Sequence, residues 1–232
     1  MSQIVSRSLN HFLAALPEAE YQRLKPHLTS VSLAAETILY ETSQRMETVY
    51  FPKNAVFSSS FKLSNGSTVE IGLIGATGMI GLPAIFGNNY SCSQVLVLVA
   101  DSAMKISARV LKREFERGGE LQRLLLTYAD TRLKEVAQLA ACNRHHIIEE
   151  RLARWLLMVQ DLSQSDELPL TQELISNIIG VRRSTVTLAA GILQQKRCIC
   201  YSRGKITILN REALEDNACE CYQLLRQKSC RR

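Results

Sequence analysis

The sequence predicts an α+β protein: an N-terminal antiparallel roll of short strands, one long helix, and a small C-terminal helical domain closed by a hairpin. Three observations carry this. Between about Val31 and Ile106 the apolar period is two, in short runs rich in β-branched and aromatic residues. After Gly118-Gly119 apolar residues recur seven apart, a helical spacing. The net positive charge is concentrated in one stretch near the C-terminal end.

Composition bounds the answer first. A chain of 232 residues accommodates one large domain or two small ones. With 46% hydrophobic and 22% charged residues it is an ordinary globular composition, and 5 Pro and 11 Gly exclude a collagenous or linker-dominated chain. No run approaches the roughly 18 apolar residues of a membrane span. Residues 1–7 lack a basic-then-apolar export signal, so a cytoplasmic protein with no membrane partner is expected.

The first 25 or so residues read as helical. Leu9, Phe12, Leu13 and Leu16 form one stripe, and Pro17 restarts the helix before Tyr21 and Leu24. Strands follow at 37–40, 48–51, 55–57, 68–73, 94–100 and 102–106, separated by Pro52, Ser64 to Ser67, Gly75 to Gly78 and Gly87-Asn88-Asn89. Gln94 to Ala100 is apolar on both faces and reads as a covered strand. Seven or eight short strands at this spacing indicate an antiparallel barrel or jelly roll.

The helix after Gly119 has two apolar stripes. Leu126, Leu133 and Ala140 lie seven apart, as do Ala129, Val136 and Asn143, offset by three. This is an a/d seam with a polar end position, suited to a like helix of a second copy. Leu121, Leu125, Tyr128 and Leu139 form a neighbouring stripe that can pack on the strands. The character changes near Asn143, where the domain boundary is placed, and Ile147, Leu152, Trp155, Leu156 and Val159 outline a further amphipathic helix.

Seven cysteines without an export signal read as reduced thiols. Cys198 and Cys200, and Cys219 and Cys221, are two apart, whereas zinc sites favour two residues between paired cysteines, so no metal is expected. His145 and His146 point about 100° apart on a helix and cannot easily share one ion.

The decisive segment begins at Leu168-Pro169-Leu170-Thr171. Thr171 suits an N-cap, Glu173 the first turn, and Leu174, Ile175, Ile178 and Ile179 a buried helix face that Gly180 ends. Val181-Arg182-Arg183 reads as a tight turn into a second helix, Ser184 to Leu193, with Val181, Val186, Ala189, Ala190 and Leu193 inward. Two helices joined in this way have helix-turn-helix spacing. A major groove admits one helix and meets the side chains at its N-terminus, here Arg182, Arg183, Ser184, Thr185, Thr187 and Leu188. The strands Cys198 to Tyr201 and Ile206 to Leu209 then form a hairpin whose tip carries Arg203 and Lys205, a basic wing. Between Leu170 and Arg211 there are seven basic residues and one acidic; removing them leaves 21 of each sign, so the whole +6 excess resides here. A positive field focused on one element attracts a polyanion, and double-stranded DNA fits both the field and the helix.

The order of roll, long helix and winged helix-turn-helix resembles the Crp–Fnr family of bacterial transcription regulators. The matching stretches are Ala141 to His145, Arg151 to Leu157, Leu170 to Glu173 and Gly180 to Val186, and the resemblance spans roughly residues 10–225. It implies a cyclic-nucleotide-binding-like β-roll at 8–118, a dimerisation helix at 119–143 and a winged helix-turn-helix DNA-binding domain at 144–225. The implied partners are operator DNA, a second copy of the chain and RNA polymerase. Arg183 falls where the catabolite-activator branch has a base-reading arginine and Thr185 on its threonine. Ser184 replaces a glutamate common to several branches, and Leu188 replaces a second base-reading arginine, so the operator is expected to differ. Thr171 and Gln172 fall where first-helix phosphate contacts occur.

The expected effector pocket, Gly81, Leu82, Cys92 and Ser93, departs from the family. Leu82 stands for the ribose-binding glutamate and Cys92 for the phosphate-binding arginine; without that arginine a buried phosphate loses its charge-assisted partner. Cyclic AMP is therefore not expected, no cofactor is predicted, and the effector is unknown. The first cysteine is Cys92, so the N-terminal cluster ligands of the oxygen-sensing branch are absent. A regulator that still senses a cyclic nucleotide or another small effector remains the alternative. An enzyme is the more distant one, because neither Ser184 nor Cys92 has a base at a recognisable distance; no catalytic residue is expected. A β-roll scaffold that docks proteins is the third.

Overall fold

The computed structural model describes residues 10–64 and 66–230, with side chains through Arg226. By its internal contacts the chain forms two compact units. The first comprises residues up to Ser59 and Ile74–Arg132; the second comprises Ser60–Leu73 and Leu133 onward. The division passes through the long helix.

In the first unit, helix α1 (His11–Ala14) starts at Asn10, whose Oδ1 accepts the Leu13 amide at 3.1 Å. The same side chain donates to the carbonyls of Pro52 and Gly78 at 2.8 and 3.1 Å, so this buried amide is satisfied. Pro17 precedes α2 (Glu18–Leu24), followed by a 3-10 turn at Lys25–His27. Phe12, Leu13, Leu16, Tyr21 and Leu24 are buried as their spacing predicts, while Leu9 lies outside the described residues.

Seven strands follow: β1 (Thr29–Leu33), β2 (Ile38–Tyr40), β3 (Thr48–Pro52), β4 (Val56–Lys62), β5 (Thr68–Ile74), β6 (Gln94–Val99) and β7 (Asp101–Ser107). They form two sheets, ordered β1-β7-β3 and β2-β6-β4-β5, the antiparallel roll expected. Thr29 pairs with Lys105 and Thr48 with Ser107, so β7 is hydrogen-bonded on both edges. Met104 and Ile106, which share one face of this central strand, are buried, as is Ala103 on the other face. The roll's core stacks Phe12 on Phe51, ring centroids 5.8 Å apart.

A helix that periodicity did not reveal, α3 (Leu82–Phe86), follows Gly81 at φ +120°, with Pro83 in its first turn. Five residues are too short for a 3.6-residue pattern to be read. Then come α4 (Ala108–Glu116) and α5 (Glu120–His145), 26 residues long. Glu20 caps α5 from outside: its carboxylate accepts the amides of Glu120 and Leu121 at 3.0 and 2.7 Å, and its charge opposes the helix dipole. Leu121, Leu125 and Tyr128 are buried here, and the Tyr128 hydroxyl donates to the Met79 carbonyl at 3.0 Å.

The second unit is built on α6 (Ile148–Ser163), with Leu152, Trp155, Leu156, Leu157 and Val159 buried. Ile147 does not join that face. It precedes the helix and is 61% exposed, a correction to the amphipathic assignment. The Trp155 indole donates to Glu70 at 3.0 Å, both residues being buried. Strand β8 (Glu167–Leu168), helices α7 (Gln172–Ile179) and α8 (Arg183–Gln195), strands β9 (Ile199–Ser202) and β10 (Lys205–Ile208), and helices α9 (Arg211–Asp216) and α10 (Cys221–Cys230) complete it. Its small sheet is ordered β8-β10-β9. No described helix is long and apolar enough to cross a membrane.

Candidate nucleic-acid interface

Two short helices are held at a fixed angle by chemistry the sequence encodes locally. Thr171 caps α7, its Oγ1 accepting the Leu174 amide at 3.1 Å. Gly180 ends α7 at φ +76° and ψ +39°, and the amides of Gly180 and Val181 both donate to the Ser176 carbonyl. A Cβ at Gly180 would lie 2.9 Å from the Thr68 carbonyl oxygen, so glycine is required by conformation and by space. The last turn of α7 receives the Thr68 hydroxyl on the Asn177 carbonyl, which ties the β4–β5 hairpin to α7 within the second unit.

Helix α8 begins at Arg183, one residue earlier than the turn predicts, with Arg182 extended at the N-cap. Val186, Ala189, Ala190 and Leu193 are buried. Arg182, Arg183, Ser184, Thr187 and Leu188 are exposed, and Thr185 is half-buried. Leu188 is 70% exposed on the same helix. Arg182 makes no side-chain cap, and the Thr185 amide donates to the Arg182 carbonyl at 2.9 Å.

Thr187 and Gln172 are engaged with one another. The Thr187 hydroxyl lies 2.9 Å from Gln172 Oε1 and 3.0 Å from the Arg183 carbonyl oxygen. The Gln172 backbone amide donates to the Tyr201 hydroxyl at 3.1 Å, fastening α7 to the hairpin. That hairpin turns through Arg203 and Gly204, both at positive φ, and Ser202 pairs with Lys205 across a two-residue loop. Arg203 is exposed at the tip; Lys205 pairs with Glu167 of β8.

The seven basic residues counted in the sequence therefore divide. Arg211 is engaged internally: its guanidinium meets Asp161 Oδ1 at 2.8 Å, Glu215 Oε1 at 2.9 Å and Gln160 Oε1 at 2.7 Å, and also the Tyr222 hydroxyl. Burial, followed by its hydrogen bond to Asp161, pushes the Tyr222 phenol up. Arg182, Arg183, Lys196, Arg197 and Arg203 are exposed, and these carry the outward positive field.

On α5 the two predicted stripes separate. Leu126 is 52% and Leu133 70% exposed, Ala140 is exposed, and Ala129 and Val136 are half-buried. Leu121, Leu125, Tyr128 and Leu139 are buried. An exposed apolar row beside a buried one is what a helix with two packing partners requires.

The expected effector residues of the first unit differ in their surroundings. The Ser93 hydroxyl is buried and lies 2.8 Å from that of Ser59, Cys92 is exposed, and a Cβ at Gly81 would lie 2.9 Å from Val49 Cγ2. An open cleft of about 540 Å³ lies elsewhere in that unit, lined among others by His27, Arg45, Lys105, Arg109 and Lys112.

Two groups of residues that sequence reasoning did not connect to the site emerge from the structure. One is the β4–β5 hairpin, whose Thr68 and Glu70 contact α7 and α6. The other is a set of cysteines and a histidine around Cys142. Only the i,i+4 spacing of Cys142 and His146 was a signal for the latter.

Comparison with known proteins agrees with this geometry. Residues 150–216 match the family model described as the Crp-like helix-turn-helix domain. A curated relative, the global nitrogen regulator of Nostoc sp. strain PCC 7120, is 23% identical, with 72% of this chain and 84% of that protein covered. Among solved structures, a crp/fnr-family protein of Eubacterium rectale superposes with a TM-score of 0.71 at 20% identity, covering 88% of this chain and 95% of that one. FixK2 from Bradyrhizobium japonicum gives 0.69 at 16% identity, covering 83% and 98%. At these identities the structural likeness is one of fold. Fold and matched domain define a winged helix-turn-helix transcription regulator, with its DNA-binding helices in the C-terminal unit. Residues 150–216 thus carry a Crp-like helix-turn-helix domain, on a chain whose fold resembles those Crp/Fnr structures.

Proposed function

We propose that the chain acts as a symmetric dimer joined along α5, each copy placing the N-terminal end of α8 in one of two major-groove half-sites about 34 Å apart. The observation that carries this is the outward leading end of α8, with Arg182, Arg183, Ser184 and Leu188 exposed while its other face is buried. Arg183 reads a base edge; Ser184, Thr185 and Gln172 suit phosphates or flanking bases, with Thr187 orienting Gln172. Thr171 adds its N-capped end and Arg203 the wing, while Lys205 must exchange Glu167 for phosphate. In this reading 8–118 is the sensor, 119–143 the dimer helix and 144–225 the DNA-binding domain. It acts on RNA polymerase as a regulator and catalyses no reaction. Some six phosphate contacts per dimer give log K against log salt a slope of about −5. Anisotropy titrations of duplex DNA from 50 to 300 mM salt test this, and binding indifferent to salt would overturn it.

The regulator does not take cyclic AMP, because Leu82 and Cys92 replace the charged partners of its ribose and phosphate, and the Ser93 hydroxyl is engaged with Ser59. A nucleotide at about 100 times its Kd adds about 2.7 kcal/mol of stability. The melting temperature is therefore expected to stay constant on adding millimolar cyclic AMP. An upward shift of several degrees would show that the roll still binds it.

A further inference from the structure

Cys142 lies in the last turns of α5 and His146 just beyond it, an i,i+4 pair on one face. Cys219 lies in the link between α9 and α10, and Cys221 opens α10. The fold brings all four together within the second unit, although 72 residues lie between His146 and Cys219. Cys142 Sγ and Cys219 Sγ are 3.6 Å apart, Cys221 Sγ and His146 Nδ1 are 3.7 Å apart, and every donor atom lies within 4.8 Å of every other. The three cysteines are buried.

These distances have a specific size. A tetrahedral ion with metal–sulfur bonds of about 2.3 Å and a metal–nitrogen bond of about 2.05 Å has ligand-to-ligand edges of about 3.8 Å for S–S and about 3.6 Å for S–N. The measured pairs match those edges. A disulfide between Cys142 and Cys219 would need a separation of about 2.05 Å and would leave Cys221 and His146 without a role. A polynuclear cluster divides its protein ligands among several irons and so spreads the whole set more widely than a single ion does, whereas all four donors here lie within 4.8 Å of one another.

The surroundings are organised around the same point. His146 Nε2 meets the Glu220 carboxylate at 2.9 Å, which places the proton on Nε2 and leaves the Nδ1 lone pair facing the sulfurs. Gln138 donates its amide to Cys221 Sγ at 3.1 Å, as a thiolate requires. Arg151 and Arg154 bring positive charge to the cluster, and their buried Nε atoms have no hydrogen-bond partner among the described residues. Three thiolates, a neutral imidazole and a divalent ion sum to one negative charge, a counter-charge for those guanidinium groups. Thiols are weak hydrogen-bonding groups, so three of them beside an imidazole gain little from one another without an ion.

We infer that Cys142, His146, Cys219 and Cys221 form a closed tetrahedral site for one zinc ion, which joins the end of α5 to the start of α10. Mixed thiolate and imidazole donors in a tetrahedron suit zinc over the harder divalent ions, and four protein ligands leave no open position, so the ion is structural. The site lies apart from the DNA-contacting residues and stands whether or not the operator reading does.

The test is metal content of the full-length chain, purified under reducing conditions and reconstituted with equimolar zinc, read by elemental analysis after gel filtration. About one zinc per chain is expected, together with the visible charge-transfer and ligand-field bands of tetrahedral thiolate-bound cobalt on substitution with Co²⁺. Cys219→Ser should lower the zinc retained. Glu220→Gln, at a mostly exposed side chain and therefore safe for folding, should weaken zinc about 10–100-fold in competition with a chromophoric chelator. Cys200→Ser, at an exposed cysteine outside the set, should retain one equivalent. Zinc well below one equivalent, wild-type affinity in both Cys219→Ser and Glu220→Gln, or an iron chromophore in place of zinc would each overturn the assignment.

Discussion

Leu133→Glu is expected to convert the dimer to monomers and to lower operator affinity by two to four orders of magnitude. Leu133 is 70% exposed in the single chain, so a charge there breaks no core and leaves the monomer folded. In the proposed symmetric seam the two Leu133 side chains would lie on facing surfaces, and the substitution would exchange apolar burial for like charges. Once the copies separate, each half-site is bound alone and the advantage of intramolecular second binding is lost. Sedimentation velocity reads the mass and anisotropy on a two-half-site duplex reads the affinity. A variant that stays dimeric with wild-type binding would remove α5 as the interface.

Arg183→Ala is expected to lower the dimer's affinity for the cognate site at least about 30-fold while changing non-specific binding far less. A bidentate arginine–guanine pair contributes about 1–3 kcal/mol of discrimination per copy, and the symmetric dimer would use two. Arg183 is exposed at the first position of α8, and removing it leaves Val186, Ala189, Ala190 and Leu193 packed. Stability measured by urea denaturation should therefore stay within about 0.5 kcal/mol. Arg203→Ala is the useful contrast: a phosphate contact at the wing weakens cognate and random DNA alike. Equal losses on both DNAs for Arg183→Ala would assign that residue to the backbone rather than to a base.

Much of the site was legible because its signals are local. Thr171 as cap, Gly180 in the left-handed region, and the split between Arg183 or Leu188 outward and Val186 or Leu193 inward each depend on residues within one or two turns. The two stripes of α5 were legible for the same reason, since a helix face repeats every three to four residues. Charge counting went less far. Arg211 and Arg203 look alike in sequence, and only the folded chain shows one among Asp161, Glu215 and Gln160 and the other exposed on the wing. Helix α3 and strand β8 were missed because five and two residues are shorter than the periods that reveal them.

Alone, the sequence determined the order of elements, which faces are apolar, and which helix end is basic, because backbone preference and side-chain periodicity act over a few residues. The tertiary structure decided which distant groups meet: Glu70 with Trp155, Thr68 with the last turn of α7, and Cys142 and His146 with Cys219 and Cys221. Such meetings are set by how buried surfaces pack across tens of residues, and no local spacing encodes them.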